Sequence, residues 1–178
     1  TNYEISRYWD DLENGKYRQD VQCINLENIL LPDNCYDILL TMDIFEHILN
    51  PDKAIKEIYR ILKPGGYYLM TVPIDSGLHP TEKPINMENG RVTLNQTKVG
   101  NFKGFIEKPE YHGNPNDPSG SIVTHYWGYD IIEFLKDKTD FIVSIDHLMD
   151  NKQNGILGVM NECIVCYKPK RPQKKIVD

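Results

Sequence analysis

No stretch of this sequence approaches the ~18 consecutive apolar residues that a membrane-spanning helix requires, so no helical span is expected. Basic charge is also short. The 20 Lys and Arg stand against 26 Asp and Glu, for a net charge of −6 and a pI near 5.4. That balance argues against a nucleic-acid backbone as the main partner. The one basic stretch runs from Lys168 to Lys175, and a solvated, disordered tail over 169–178 is expected because Pro and Lys oppose a packed core. Cysteine is sparse, at Cys23, Cys35, Cys163 and Cys166. Cys163 and Cys166 have the spacing of half a zinc knuckle, but no second pair completes it. They also lie in an apolar run that reads as a strand, where residues three apart face opposite ways. Buried thiols in a reducing, cytoplasmic setting are therefore expected. Internal repeats are lacking, as is a leader of charged, apolar and small residues. The chain starts at Thr1 without methionine, which leads us to expect a processed chain or a piece of a longer one.

What is present fits one α/β domain over residues 1–178, a length that can bury a core of its own. Val21-Gln22-Cys23-Ile24 is a short strand candidate. Tyr36 to Met42 is nearly continuous in apolar residues after Asp37, the pattern of a strand buried on both faces. A helix follows, with Asn50 as N-cap, Pro51 at its first position and Asp52 near its positive end. Ala54, Ile55, Ile58, Ile61 and Leu62 fall on one face of it. Lys63 lies at its end and Pro64-Gly65-Gly66 stops it. The strand Tyr67–Val72 comes next, so the unit is a right-handed βαβ crossover. Residues 74–125 are rich in Pro, Gly, Asn and charge, an insertion of the kind that forms lids. It contains a hairpin signal at Asn89-Gly90 between Asn86-Met87 and Val92–Leu94. A helix over 129–138 and strands over 141–145 and 161–167 complete an α/β layer pattern.

Three segments carry a resemblance. Leu30-Leu31-Pro32-Asp33-Asn34-Cys35-Tyr36-Asp37-Ile38-Leu39, then Asp43-Ile44-Phe45-Glu46-His47-Ile48, then Glu57-Ile58-Tyr59-Arg60-Ile61-Leu62-Lys63-Pro64-Gly65-Gly66 resemble, in order and at the family's spacing, the class I S-adenosylmethionine-dependent methyltransferases. Pro109 to Pro115 and Trp127-Gly128-Tyr129-Asp130 look like a bacterial subgroup of that family. The resemblance implies a Rossmann-like methyltransferase sheet, mostly parallel with an antiparallel last strand, truncated at its N-terminal side and carrying a long polar insertion after the Leu-Lys-Pro-Gly-Gly strand. It implies S-adenosylmethionine as cofactor, S-adenosylhomocysteine as product, and a small-molecule or glycan acceptor. The cofactor would lie across the carboxyl ends of the parallel strands. Asn25 and Leu26 match the turn beside the adenine. Thr41, Met42 and Asp43 match the strand end beside the methionine part. Phe45, Glu46 and His47 begin the segment facing the acceptor, to which Tyr111 and His112 are added from the insertion; His79, Glu82 and His125 are weaker candidates for the same pocket.

Methyl transfer from a sulfonium is an in-line displacement that needs alignment and, for a hydroxyl acceptor, a base. Asp43 and His47 are the catalytic candidates by position. Asp43 reads equally well as a turn cap, and His47 as a packed, hydrogen-bonded histidine. Asp43, Glu46 and His47 together suit a divalent cation in ligand type, but three ligands on one turn rarely converge, and no metal site is expected. The family's Gly-x-Gly turn occurs nowhere in residues 1–35, and Glu4 is the one nearby acidic candidate for the ribose. A non-catalytic module that has lost cofactor binding is therefore the alternative. Without the family's central strand the edge of 36–42 would be open, so a homodimer partner, residues 1–24 repacked, or a further segment is expected to cover it.

Overall fold

A computed structural model of the chain describes residues 2–74, 80–88, 91–95, 108–114, 117–147 and 162–171. His79 and the tail beyond residue 171 lie outside the described residues. The central sheet has four strands in the order β10-β11-β5-β4. β4 (Tyr36–Met42) runs parallel to β5 (Leu62–Thr71), while β11 (Glu162–Tyr167) is antiparallel to both β5 and β10 (Ile142–His147). Three strands thus point one way and the last strand in the chain points the other, the Rossmann-like methyltransferase pattern expected.

Helix α1 (Pro51–Ile61) joins β4 to β5 and buries Ala54, Ile55, Ile58 and Ile61. Helix α2 (Ile131–Lys138) packs its Ile131 and Leu135 into the same core. Both lie against the sheet face made by Leu39, Tyr68, Met70, Ile164 and Cys166. No helix among the described residues is long and apolar enough to cross a membrane. The Asn50 cap expected for α1 is not made: its amide donates to the Glu27 carboxylate, at 2.7 Å, instead of capping the helix. The helix also stops earlier, at Ile61, and Leu62 is already extended. At Gly66 a β-carbon would meet Asp37 O at 2.8 Å and Lys63 O at 2.9 Å, so only glycine lets β5 approach β4 there.

Lys168 corrects the reading of the basic stretch as solvated from its first residue. Its ammonium is buried and donates to Asn34 Oδ1, Tyr59 O and Leu62 O at 3.0, 2.7 and 2.7 Å. Two of those are carbonyls at the end of α1, where helices leave acceptors unpaired. Replacing Lys168 with methionine keeps the stem and strands three acceptors. A loss of about 1–3 kcal/mol is expected, read as a lower urea midpoint with unchanged slope.

A second correction concerns β4, which is not buried on both faces. Ile38, Leu40 and Met42 share the face away from the helices and are 57%, 58% and 73% exposed. Nor do residues 1–24 repack along its free edge. β1 (Ser6–Arg7), β2 (Tyr17–Arg18) and β3 (Val21–Cys23) form a sheet of their own in the order β1-β3-β2. Among the described residues, β4 pairs with β5 alone.

The insertion contains two hairpins. β6 (Ile85–Glu88) and β7 (Arg91–Leu94) pair with Glu88 opposite Arg91, which leaves the expected two-residue connection at Asn89-Gly90. β8 (Tyr111–Asn114) and β9 (Asp117–Ile122) form the second, which the sequence analysis did not anticipate.

Candidate functional site

β4 ends at Met42, and Asp43 turns the chain out of the sheet with φ of +49°, a left-handed conformation that Asp tolerates better than most residues. Its N–H donates to Thr71 O at 3.0 Å, and its carboxylate accepts from Thr71 Oγ1 at 3.0 Å. Asp43 is thus tied to β5 through Thr71 at the carboxyl end of the two parallel strands, and its carboxylate caps no backbone N–H among the described residues. A single 3-10 turn, Phe45–His47, follows and leads into α1.

That turn sorts its side chains sharply. Phe45 enters the core with its ring centroid 5.9 Å from that of Trp127. It is fully buried, which corrects the expectation that it faces the acceptor. Glu46 is 1% exposed, and neither carboxylate oxygen has a hydrogen-bond partner. Burial pushes its carboxyl up to about 7, with the charge of Asp43 acting in the same direction. His47 is partly buried, and its Nδ1 lies 2.8 Å from Ile122 O. A carbonyl can only accept, so Nδ1 carries the proton and, in the neutral ring, Nε2 is left with its lone pair. Nε2 stands 3.6 Å from Glu46 Oε1.

The segment after β9 is laced to the same turn. Thr124 N and His125 N both donate to Glu46 O, at 2.8 and 3.2 Å, and Thr124 Oγ1 bridges toward Glu46 O and Ile48 O. Hairpin β8–β9 is thereby held over the turn, and it delivers His112. The rings of His112 and His47 meet edge to face with centroids 5.1 Å apart. His112 Nδ1 lies 3.7 Å from Glu46 Oε1, while its Nε2 lies 3.6 Å from Glu110 Oε1. Glu110 Oε2 in turn accepts from the Tyr126 hydroxyl at 2.6 Å. Tyr111, on the opposite face of the strand, is exposed and takes no part in the cluster. His125 stacks on Trp127 in the core and does not line an open pocket.

The expected cofactor residues divide. Met42 and Asp43 are exposed at the strand end. Thr41 is buried with its hydroxyl 2.7 Å from that of Tyr68, and Leu26 packs against the core. Asn25 Oδ1 accepts from Glu27 N at 2.8 Å, closing a turn of its own. Glu4 meets the Tyr36 hydroxyl. Of the expected cofactor residues, Met42 and Asp43 are thus open to solvent, whereas Thr41, Leu26 and the Asn25 carbonyl are engaged within the chain.

Sequence reasoning reached His47 and His112 separately but gave no reason for them to meet. It missed Glu110 and Tyr126. The signal available was the alternation Glu110-Tyr111-His112, which sets Glu110 and His112 on one face if that run is a strand.

Residues 1–70 match the family described as "Methyltransferase domain". The chain is 39% identical over 51 residues to a ubiquinone/menaquinone biosynthesis C-methyltransferase from Hydrogenovibrio crunogenus, covering 29% of this chain and 20% of that protein. It is 32% identical over 56 residues to a "Probable S-adenosylmethionine-dependent methyltransferase" from Mycolicibacterium smegmatis, covering 32% of this chain and 22% of that one. The chain's matches thus span about a fifth of the length of these relatives. Among solved structures, an S-adenosylmethionine-dependent methyltransferase from Mesorhizobium loti aligns with a TM-score of 0.51 at 11% identity, over 85% of this chain and 72% of that one. That likeness is one of fold.

Proposed function

We propose that this chain, whose residues 1–70 match the methyltransferase-domain family, uses S-adenosylmethionine as methyl donor and takes part in methyl transfer to a hydroxyl-bearing small molecule or glycan. One observation carries the reading. A polar cluster of Glu46, His47 and His112 stands just past the carboxyl end of β4, where a parallel sheet of this kind receives its ligands.

The cofactor would supply an electrophilic methyl group. Met42 and Asp43 are the residues that would stand against its methionine part, with Asp43 held in register by Thr71. The cluster is the acceptor side: a hydroxyl bound there would be oriented by His47 and His112. Asp43 and His47 are thus our catalytic pair, one shaping the strand end and the other facing the acceptor. Tyr111, exposed on the same hairpin as His112, would extend the acceptor surface. A homodimer over β4 is not part of the reading, because an open strand edge suits any occupant equally.

Calorimetric titration with S-adenosylhomocysteine tests the reading. Binding in the micromolar range is expected, weakened at least tenfold by Asp43→Ala. No heat at millimolar product would leave the alternative, a methyltransferase-like module without cofactor, as the better account.

A further inference from the structure

The cluster behind β4 has features that methyl transfer alone does not require. The Glu46 carboxylate is almost completely buried, yet neither oxygen receives a hydrogen bond. Two ring nitrogens face it, His47 Nε2 and His112 Nδ1, at 3.6 and 3.7 Å, beyond ordinary hydrogen-bond length. A buried carboxyl without hydrogen-bond donors is costly in either charge state, and a bound cation is one way such a group is compensated.

We propose that Glu46, His47 and His112 form a binding site for a divalent transition-metal ion. One ligand atom from each lies within 4.8 Å of the others. An ion with bonds near 2.1 Å sets its tetrahedral ligands about 3.4 Å apart, so the separations to Glu46 already agree within a few tenths of an ångström. Two imidazoles and one carboxylate suit zinc, cobalt, iron or manganese, and three protein ligands leave positions open for a further group.

The second layer of contacts is what distinguishes this cluster from a chance meeting of side chains. Ligating histidines characteristically donate their other N–H to a carbonyl or carboxylate, which fixes the tautomer and aims the lone pair. His47 shows this pattern in full; His112 shows it in orientation, with Glu110 at 3.6 Å rather than hydrogen-bonded. His47 gives Nδ1–H to Ile122 O, leaving Nε2 toward Glu46. His112 turns Nε2 toward Glu110, leaving Nδ1 toward Glu46, and Glu110 is itself anchored by the Tyr126 hydroxyl. The three ligands come from two separate segments of chain, a turn after β4 and a hairpin far along the sequence, which bonds through Thr124 hold together. Asp43, one of the three residues with metal-suited chemistry on the turn, is engaged by Thr71 and is not a ligand.

The inference deepens the reading of the acceptor side, and its test is made without cofactor or acceptor so that the two can fail separately. The full chain, stripped with chelator, is titrated with Co²⁺ and Zn²⁺ by calorimetry, and the Co²⁺ titration is repeated by visible absorption. One equivalent binding at micromolar or lower Kd is expected, with ligand-field bands showing nitrogen coordination. His112→Ala lies on a hairpin and should fold normally; it is expected to weaken binding at least 100-fold and to remove the bands. Glu46→Gln is expected to do the same. Glu110→Gln, acting only through His112, should weaken binding about tenfold or more while leaving the stoichiometry at one. Wild-type binding no tighter than that of His112→Ala would overturn the proposal. Metal binding without any binding of S-adenosylhomocysteine would sustain the metal site and remove the methyl-transfer reading.

Discussion

Phe45→Ala is expected to destabilise the chain by about 3–5 kcal/mol, the range for emptying a buried aromatic site in a packed core. Phe45 is fully buried, stacks obliquely on Trp127, and belongs to the same cluster as Ile55, Ile58 and Leu62. The turn that carries it is only three residues long. Phe45 pins the turn to the core on the side opposite the bonds that Thr124 and His125 make to Glu46 O. The substitution should therefore lower the melting temperature on the order of 10 °C for a chain of this size. It should also weaken metal binding by the neighbouring cluster, although Phe45 supplies no ligand. Phe45→Leu keeps most of the volume and is expected to cost under about 2 kcal/mol. A loss below about 1 kcal/mol for the alanine variant would mean that the ring does not occupy the core.

Much of the fold was legible in the sequence because its middle obeys simple periodicities. Pro51–Ile61 repeats at helical spacing, and the apolar runs at 36–42 and 162–167 are bounded by turn residues, so that helix and those two strands were placed within a residue or two, whereas β5 begins at Leu62, five residues before the expected Tyr67. Such patterns report that a residue wants to be buried, not whether a covering element exists. Ile38, Leu40 and Met42 have the composition of a doubly covered strand, but the described residues lay helices on one face only, so the exposure of the other face was invisible to the pattern. Lys168 shows the reverse failure. A lysine in a basic stretch reads as solvated, and only the long-range meeting of β11 with the end of α1 turns it into a buried donor.

The site was legible by residue type but not by arrangement. Asp43, Glu46 and His47 stood out because chemistry-bearing side chains follow a strand end. Their division of labour depends on one left-handed residue and one 3-10 turn, which together send Phe45 inward, Asp43 back to Thr71, and Glu46 and His47 toward the hairpin. Nothing in local sequence specifies that sorting. The contribution of His112 is less accessible still, since 64 residues intervene between it and His47, and their meeting rests on Thr124 and His125 donating to the Glu46 carbonyl. Long-range backbone bonds of this kind leave no periodic trace.

His125 supplies the second large effect, a loss of stability on mild acidification. It is 7% exposed, its Nδ1 lies 2.9 Å from Thr124 Oγ1, and its ring stacks on Trp127 at 5.1 Å between centroids. Burial, aided by the positive charge of Lys83 and opposed by an Ile48 backbone bond and by Asp52, brings its pKa down from the ordinary 6.5 to about 4. The folded state therefore binds the proton more weakly than the unfolded chain does. The corresponding stability is fully present above pH 6.5 and is lost as the pH falls from there toward 4. The difference amounts to roughly 3 kcal/mol at most. Carboxylates held low by partners, such as Glu57 beside Arg60, also weaken the fold in acid, but their loss falls at lower pH. His125→Phe preserves the stacking on Trp127 and cannot take a proton, and Thr124 Oγ1 keeps its bonds to Glu46 O and Ile48 O. Glu46, whose carboxyl is raised by burial, acts in the opposite direction over the same range in both proteins, so the difference between them isolates His125: urea unfolding at pH 7.5, 6, 5 and 4.5 on metal-free protein should show the wild type losing stability relative to the variant as the pH falls below 6.5. Equal slopes for the two proteins would mean that His125 is charged or solvated in the folded chain, and the packing of the segment that fastens the hairpin to the Glu46 turn would have to be redrawn.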